Sequence, residues 1–276
     1  MNRAELQAEL KKSYGKDLEQ RKNWYSDVAD AYNRVRPRYP QKLIDRAVKL
    51  AQLPKDAIVL EVGCGPGNAT TSFAQMGFSM VCLEPSREAC RLAQQNCQAY
   101  PKVEVINTSF EEWELQPRRF NAVLAANAWH WIPPKTSYPK ATAALEDNGS
   151  LILLWNMSPQ IPHEIYQALN EVYQAEAVPI QRYESRTTQE KILNSLGEDV
   201  IHSGQFKNLL CEHIPCEVTY SIDDYLLLLN TLSPYRALDS DKRDSLFQGL
   251  REMLEKNSSR KIEVSYLSAF HVAQKK

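Results

Sequence analysis

The stretch Val59-Leu60-Glu61-Val62-Gly63-Cys64-Gly65-Pro66-Gly67-Asn68 sets a near-continuous apolar run against a glycine-rich turn. Three of the chain's nine glycines fall in this turn, at Gly63, Gly65 and Gly67. Glycine there permits positive φ and lets a ligand reach the main chain without meeting a Cβ. Residues 57–62 read as a buried strand, and 68–76 as a helix closed by Gly77. Outward from here strand and helix alternate. Residues 79–84 form a second apolar run, closed by Glu84 and Pro85, and 86–99 carry helical spacing at Ala89, Leu92, Ala93 and Cys97. Residues 103–106, 121–126 and 150–155 read as three more strands. A helix over 136–145, stopped by Asp147, Asn148 and Gly149, precedes the last of them. Such strands separated by helices predict an α/β fold with a doubly wound, mostly parallel sheet covered on both faces.

The flanks are different. Residues 20–53 have helical stripes (Trp24, Tyr25, Val28 and Tyr32, then Leu43, Ile44, Ala47, Val48 and Ala51). They are broken by Arg34-Val35-Arg36-Pro37-Arg38-Tyr39-Pro40, because two prolines do not fit one helix interior. Beyond Trp155 the pattern is helical over 165–177, 189–196, 223–230 and 239–256. Residues 206–220 and 262–272 have strand character and would complete a seven-stranded sheet. The expected organisation is an N-terminal helical cap over 1–53, a core over 54–156, and helical lid segments plus the last two strands over 157–276. The first dozen residues are expected to fray.

Composition narrows the class. Of 276 residues, 43% are apolar and 24% charged, an ordinary globular balance. Apolar runs fall far short of the roughly 20 residues of a membrane span, and the charged N-terminal stretch has no secretory h-region. Six cysteines without a signal predict reduced thiols and a cytoplasmic setting. The net charge is −1, yet the first fifty residues hold twelve Lys/Arg against seven Asp/Glu; this segment's +5 leaves −6 for the rest. A wholly basic nucleic-acid binder is excluded, while a local basic arm is not.

The turn itself selects among cofactors. No lysine follows it, so it is not a nucleoside-triphosphate loop. The dinucleotide pattern G-x-G-x-x-G would need glycine at position 68, where Asn68 stands, and Pro66 removes one N–H from any pyrophosphate cradle. The spacing G-x-G-x-G, with Glu61 two residues before it, suits a cofactor without phosphates and with a cationic centre, S-adenosylmethionine. Glu84 ends the second strand beside this turn in a right-handed crossover, where a carboxylate can accept both ribose hydroxyls of an adenosine.

With these residues the chain resembles the class I S-adenosylmethionine-dependent methyltransferases, in particular the small-molecule, trans-aconitate methyltransferase-like group. The likeness runs from about residue 25 to the C-terminus. Its segments are the motif over 61–68, Glu84-Pro85-Ser86, Ser109-Phe110-Glu111, Ala125-Ala126-Asn127-Ala128-Trp129-His130-Trp131-Ile132, Arg34-Val35-Arg36-Pro37 and Leu232-Ser233-Pro234-Tyr235-Arg236. The resemblance implies a Rossmann-like methyltransferase fold and a cofactor site made by Tyr32, Arg36, Glu61, Gly63, Gly65, Gly67, Asn68, Glu84, Pro85, Ser109, Phe110, Asn127 and Ala128. Glu61 would stand near the methionine amino group, and Arg36 would be available to the carboxylate. The Asn/Asp-Pro-Pro-Tyr/Phe signature of amino-group methylation of bases is absent after the fourth strand.

A sulfonium methyl is already activated, so the protein needs mainly to align a nucleophile with the C–S bond in a dry pocket. A carboxylate acceptor needs no base. For a hydroxyl a base helps, and His130 is the candidate, although an imidazole between two tryptophans is more often a packing residue. Trp129, Trp131, Tyr235 and Arg236 are candidates for the substrate wall, and Trp155 for the wall of the substrate or cofactor pocket. Cys211, His213 and Cys216, with His202, lack the same-face geometry of a zinc set, so no metal is expected. A small-molecule methyltransferase is the favoured reading; a nucleic-acid methyltransferase using the basic arm, or a non-catalytic cofactor-binding protein, are the alternatives.

Overall fold

The computed structural model describes residues 3–176, 180, 183–257 and 261–276. Four helices lead in: α1 (Arg3–Tyr14), α2 (Leu18–Asn23), α3 (Ala29–Val35) and α4 (Gln41–Leu50). The first dozen residues, expected to fray, instead form α1, because Leu6 is buried and Leu10 packs against the same core. The two prolines separate α3 from α4 as expected: Arg36 is extended, and Pro40 caps α4.

The core follows as β1 (Ile58–Val62), α5 (Thr70–Gln75), β2 (Ser79–Leu83), α6 (Arg87–Asn96), β3 (Val103–Ile106), β4 (Phe120–Ala126), α7 (Pro134–Ala144) and β5 (Leu145–Asn156). Helices α8 (His163–Ala175) and α9 (Arg186–His202) precede the edge strand β6 (Phe206–Ser221). Then come α10 (Ile222–Asn230), α11 (Ser233–Arg236), α12 (Ser240–Asn257) and the closing strand β7 (Lys261–Lys275). One seven-stranded sheet results, in the order β3-β2-β1-β4-β5-β7-β6. All neighbours are parallel through β5, and β7 runs antiparallel between β5 and β6.

The alternation of side chains explains why both faces are covered. Leu60, Val81, Val123 and Leu151 share a register and one core, while Val59, Met80, Ala122 and Ile152 point into the other. A third apolar cluster joins α8, α10 and α12 to Ile262 and Val264 of β7. Pro215 sits within β6, which an edge strand tolerates because its missing N–H need not serve a central ladder.

Two expected boundaries shift. The helix after the glycine turn is only α5, since the turn continues through Ala69. The chain enters β5 at Leu145, so Asp147, Asn148 and Gly149 lie inside a long strand instead of stopping a helix. Leu145 pairs with Phe120, and a register shift between Phe120 and Ala122 absorbs the extra residues.

Candidate functional site

Strand order reverses between β1 and β4, so their carboxyl ends diverge and leave a crevice, the usual ligand position in open α/β sheets. A cavity of about 370 Å³ lies there. Its floor is the turn after β1. Gly63 and Cys64 donate their N–H groups to Leu83 O at 2.8 and 3.1 Å, which docks the turn on β2. Gly63 has φ +67°, and a Cβ there would lie 2.7 Å from the Ala128 Cβ, so glycine is required for the close approach of the two loops. At Gly65, φ +56°, a Cβ would meet nothing within 4 Å, and the main chain faces open space.

Glu84 stands at the end of β2. Gly65 N–H donates to its Oε2 at 2.8 Å and Ser86 N–H to its Oε1 at 2.9 Å. Each oxygen keeps acceptor capacity, and the cavity wall includes Glu84. Burial pushes the carboxyl up to about 7, against the two backbone N–H groups that favour its ionised form. A carboxylate fixed at both oxygens beside a Cβ-free stretch of backbone fits a vicinal diol, as on a nucleoside ribose. Pro85, Ser109, Phe110 and Glu111 line the neighbouring wall.

Tyr32, Arg36, Asn127 and Ala128 also line the cavity, with Ala128 against the floor at Gly63. Arg36 donates from Nε to Thr231 Oγ1 at 2.8 Å and from Nη2 to Thr231 O at 2.6 Å, and its guanidinium lies 4.8 Å from the Tyr32 ring centroid. Asn127, at φ +52°, clamps the ends of β4 and β5 together: its Oδ1 accepts from Tyr39 Oη–H and Asn156 N–H, both at 2.7 Å, and its Nδ2 donates to Asn156 O at 2.9 Å. An asparagine tolerates this left-handed backbone better than most residues.

Several expected site residues lie elsewhere. Glu61 is fully buried beneath the turn and lines no cavity wall; its Oε2 accepts from Thr70 Oγ at 2.6 Å, its Oε1 has no partner, and burial raises its carboxyl to about 7. Gly67 faces α6, where a Cβ would come within 3.4 Å of Cys97 Sγ, so it serves helix packing. Asn68 borders a smaller cavity of about 40 Å³ that shares Tyr32, Arg36 and Asn127 with the main one.

The segment 129–131 is a tight 3₁₀ turn, with three residues per turn, so its side chains diverge. Trp129 enters the core against Phe110 and Tyr138, while His130 and Trp131 face the cavity. Tyr235 and Arg236 are likewise not on the wall. Helix α11 turns Tyr235 into the third core, where its hydroxyl meets that of Tyr173, and Arg236 holds Trp24 O and Asp27. Leu232, Ser233 and Pro234 take that place.

The structure places Trp155, a candidate from the sequence, on the wall, and adds residues the sequence did not single out for the site: Leu6 and Leu10 of α1, Tyr25, Met157, and Ile192 and Leu196 of α9. Their only sequence signal is apolarity, which core packing shares. The N-terminal excess of base is largely answered by acids: Arg21 pairs with Glu111, Lys22 with Glu19 and Glu112, Arg34 with Asp224 and Arg46 with Glu212. No helix among the described residues is long and apolar enough to cross a membrane.

Sheet order, switch-point cavity and glycine–glutamate pair define a Rossmann-like fold of the kind found in methyltransferases. Residues 59–149 match the family model described as a methyltransferase domain. An uncharacterized methyltransferase of Mycobacterium tuberculosis is 32% identical over 132 residues, 48% of this chain and 51% of that protein. The "Probable S-adenosylmethionine-dependent methyltransferase CRG1" of Saccharomyces cerevisiae is 25% identical over 51% of this chain and 50% of its own length. The chain thus spans about half the length of these curated relatives. Among solved structures, a protein from Anaeromyxobacter dehalogenans described as a type II methyltransferase superposes with a TM-score of 0.62 at 18% identity, covering 87% of this chain and 97% of that one. A Haemonchus contortus phosphoethanolamine N-methyltransferase 2, in complex with phosphomonomethylethanolamine and S-adenosylhomocysteine, does so at 0.52 and 13%, covering 93% and 58%. At these identities the two structures speak to the fold. Residues 59–149 are thus similar to a methyltransferase domain, and the curated relatives that match this half of the chain are named methyltransferases.

Proposed function

We propose that this protein transfers a methyl group from S-adenosylmethionine to a small-molecule acceptor, a carboxylate or a hydroxyl, by in-line displacement. The observation that carries the reading is Glu84, held at both oxygens by Gly65 N–H and Ser86 N–H on the wall of the switch-point cavity. Glu84 would accept the ribose hydroxyls, and the backbone at Gly63 and Gly65 would lie along the cofactor. Ser109 and Phe110 would border the adenine, and Asn127 and Ala128 the methionine end. Arg36, already oriented by Thr231 and Tyr32, would face the carboxylate there. Glu61 supports this arrangement from behind, through Thr70.

The cofactor supplies a methyl carbon activated by positive sulfur. The chain's own part is alignment and exclusion of water: α1 and α9 close the cavity with Leu6, Leu10, Ile192 and Leu196, which strips the acceptor of its hydration shell. Calorimetric titration with S-adenosylhomocysteine tests the reading. Binding at about micromolar strength is expected, lost in Gly65→Arg, whose side chain would fill the open space above the turn, and weakened in Glu84→Ala. Unchanged titration curves in both variants would refute it.

A further inference from the structure

Five charged residues line the main cavity: Arg21, Lys22, Arg36, Glu84 and Glu111. All make contacts within the protein, and Arg36 is the one set aside above for the cofactor's carboxylate. Arg21 holds Glu111 and the Trp131 carbonyl, Lys22 holds Glu19 and Glu112, Arg36 holds Thr231, and Glu84 accepts two backbone N–H groups. The wall also includes the apolar side chains of Leu6, Leu10, Trp155, Met157, Ile192 and Leu196, with the hydroxyls of Tyr25, Ser158 and Ser233 at its border. Asn156, which also borders it, has its side chain committed to the Pro37 carbonyl and Ser268.

His130 stands out in this apolar half. Its ring lies between those of Trp131 and Trp155, at centroid distances of 5.7 and 5.9 Å. The Trp155 indole N–H is turned away to His271 Nδ1, at 2.9 Å. No hydrogen bond is formed by the His130 imidazole among the described residues, and it lines the cavity. The ring is half-buried, so a ligand that fills the cavity and displaces solvent from it must replace the hydrogen bonds the imidazole makes to water.

Resting on the methyltransferase reading above, we propose that the acceptor is an uncharged, largely apolar alcohol or phenol whose hydroxyl hydrogen-bonds to His130. An anionic acceptor would surrender its hydration beside these apolar side chains without gaining a cation that is not already paired or placed for the cofactor. A hydroxyl brings one donor to one free ring nitrogen, and the hydrocarbon around it suits the wall. Burial also pushes the imidazole down to about 4, so it is neutral and able to accept at ordinary pH.

In the transfer, the hydroxyl oxygen attacks the methyl carbon in line with the C–S bond. The C–O bond forms, the C–S bond breaks with its electron pair going to sulfur, and the hydroxyl proton passes to the unprotonated nitrogen of His130. The positive charge thus moves from sulfur to the imidazole, and the number of charges in the cavity is unchanged. His130 also lines a second cavity of about 390 Å³ that reaches the exposed His202, where water takes up the proton. The products are a methyl ether, S-adenosylhomocysteine and one proton.

The test compares 2-naphthol with 2-naphthoate as probes, by calorimetry near neutral pH on the full chain saturated with S-adenosylhomocysteine. The naphthol is expected to bind at least about tenfold more tightly than the naphthoate. His130→Phe should weaken naphthol binding roughly three- to tenfold and leave S-adenosylhomocysteine binding within about twofold. His130→Gln should restore naphthol binding, because an amide still accepts the hydroxyl, yet yield no 2-methoxynaphthalene with S-adenosylmethionine, because it takes no proton. If S-adenosylhomocysteine binds but the naphthoate equals or exceeds the naphthol, or the naphthol does not bind, the acceptor inference is overturned and the methyltransferase reading stands. If S-adenosylhomocysteine itself does not bind, both fall.

Discussion

Acidification should loosen the cofactor, and Glu84 sets the size of the effect. Its carboxyl is pushed up to about 7 by burial. Two ribose hydroxyls donating to it would favour the ionised form, so the bound carboxylate holds its charge to lower pH than the free one. Ligand and proton then compete. With a free-protein value of about 7, the ionised fraction falls from about 0.9 at pH 8 to about 0.1 at pH 6. If the complex stays ionised throughout, the apparent dissociation constant rises roughly tenfold over that interval, and binding near pH 6 releases about 0.9 proton.

Calorimetry with S-adenosylhomocysteine in two buffers of different ionisation enthalpy reads both quantities. Glu84→Gln should bind more weakly at pH 8 and show no slope below it. Glu61, also raised to about 7, does not line the cavity, so Glu61→Gln should retain the slope. His130, depressed to about 4, does not titrate in the window. Equal dissociation constants at both pH values in the native protein would refute the placement of the ribose on Glu84. So would an undiminished slope in Glu84→Gln.

Glu61→Gln should also raise stability. Its folded-state value, about 7, lies above the ordinary 4.5, so the native state binds the extra proton and stability declines as pH rises from about 4.5 to 7, then levels off. Urea unfolding at about pH 8 should show the variant more stable by up to about 3 kcal/mol, with the gain gone below about pH 4.5; a loss of stability at pH 8 would contradict this. Gly63→Ala and Gly65→Ala should differ in kind. The first drives a methyl to 2.7 Å from Ala128 Cβ and should cost about 2 kcal/mol or more of folding stability. The second meets nothing within 4 Å, so it should cost only about 1 kcal/mol of backbone strain while impairing S-adenosylhomocysteine binding. Arg36→Gln should weaken S-adenosylhomocysteine about tenfold and leave adenosine, which has no carboxylate, within about twofold; parallel losses would mean that Arg36 acts only through Thr231.

The fold was legible wherever the signal was local. Near-continuous apolar strands, the glycine turn and the acid after β2 occupy adjacent positions, and their spacing alone places Gly65 beside Glu84. What escaped depends on how a short turn aims its side chains. Trp129 and Trp131 are indistinguishable by type, and only the 3₁₀ geometry of 129–131 sends one into the core and the other to the cavity. Tyr235 and Arg236 failed as wall residues for the same reason, since α11 rotates them away behind Pro234. Gly67 and Glu61 follow the motif pattern but serve packing beneath the turn, a distinction that spacing does not carry. Helix α1 has charges interrupting its apolar residues, so the burial of Leu6 against the site was not visible in its periodicity.

The two halves of the cavity therefore differ in how sequence encodes them. The cofactor half rests on strand ends, where a few positions must be glycine or acid for geometric and hydrogen-bonding reasons, and such demands leave a motif. The acceptor half draws Leu6, Leu10, Trp155, Ile192 and Leu196 from three separate elements. Each of them would be apolar for packing alone, so selection for an acceptor adds nothing that residue type can reveal. A polar residue in such a wall is the exception, and His130 is half-buried there with no hydrogen bond from its imidazole within the described residues. Around His130 stand two indole rings and the cavity itself, so the cavity is the side from which a hydroxyl would reach the imidazole.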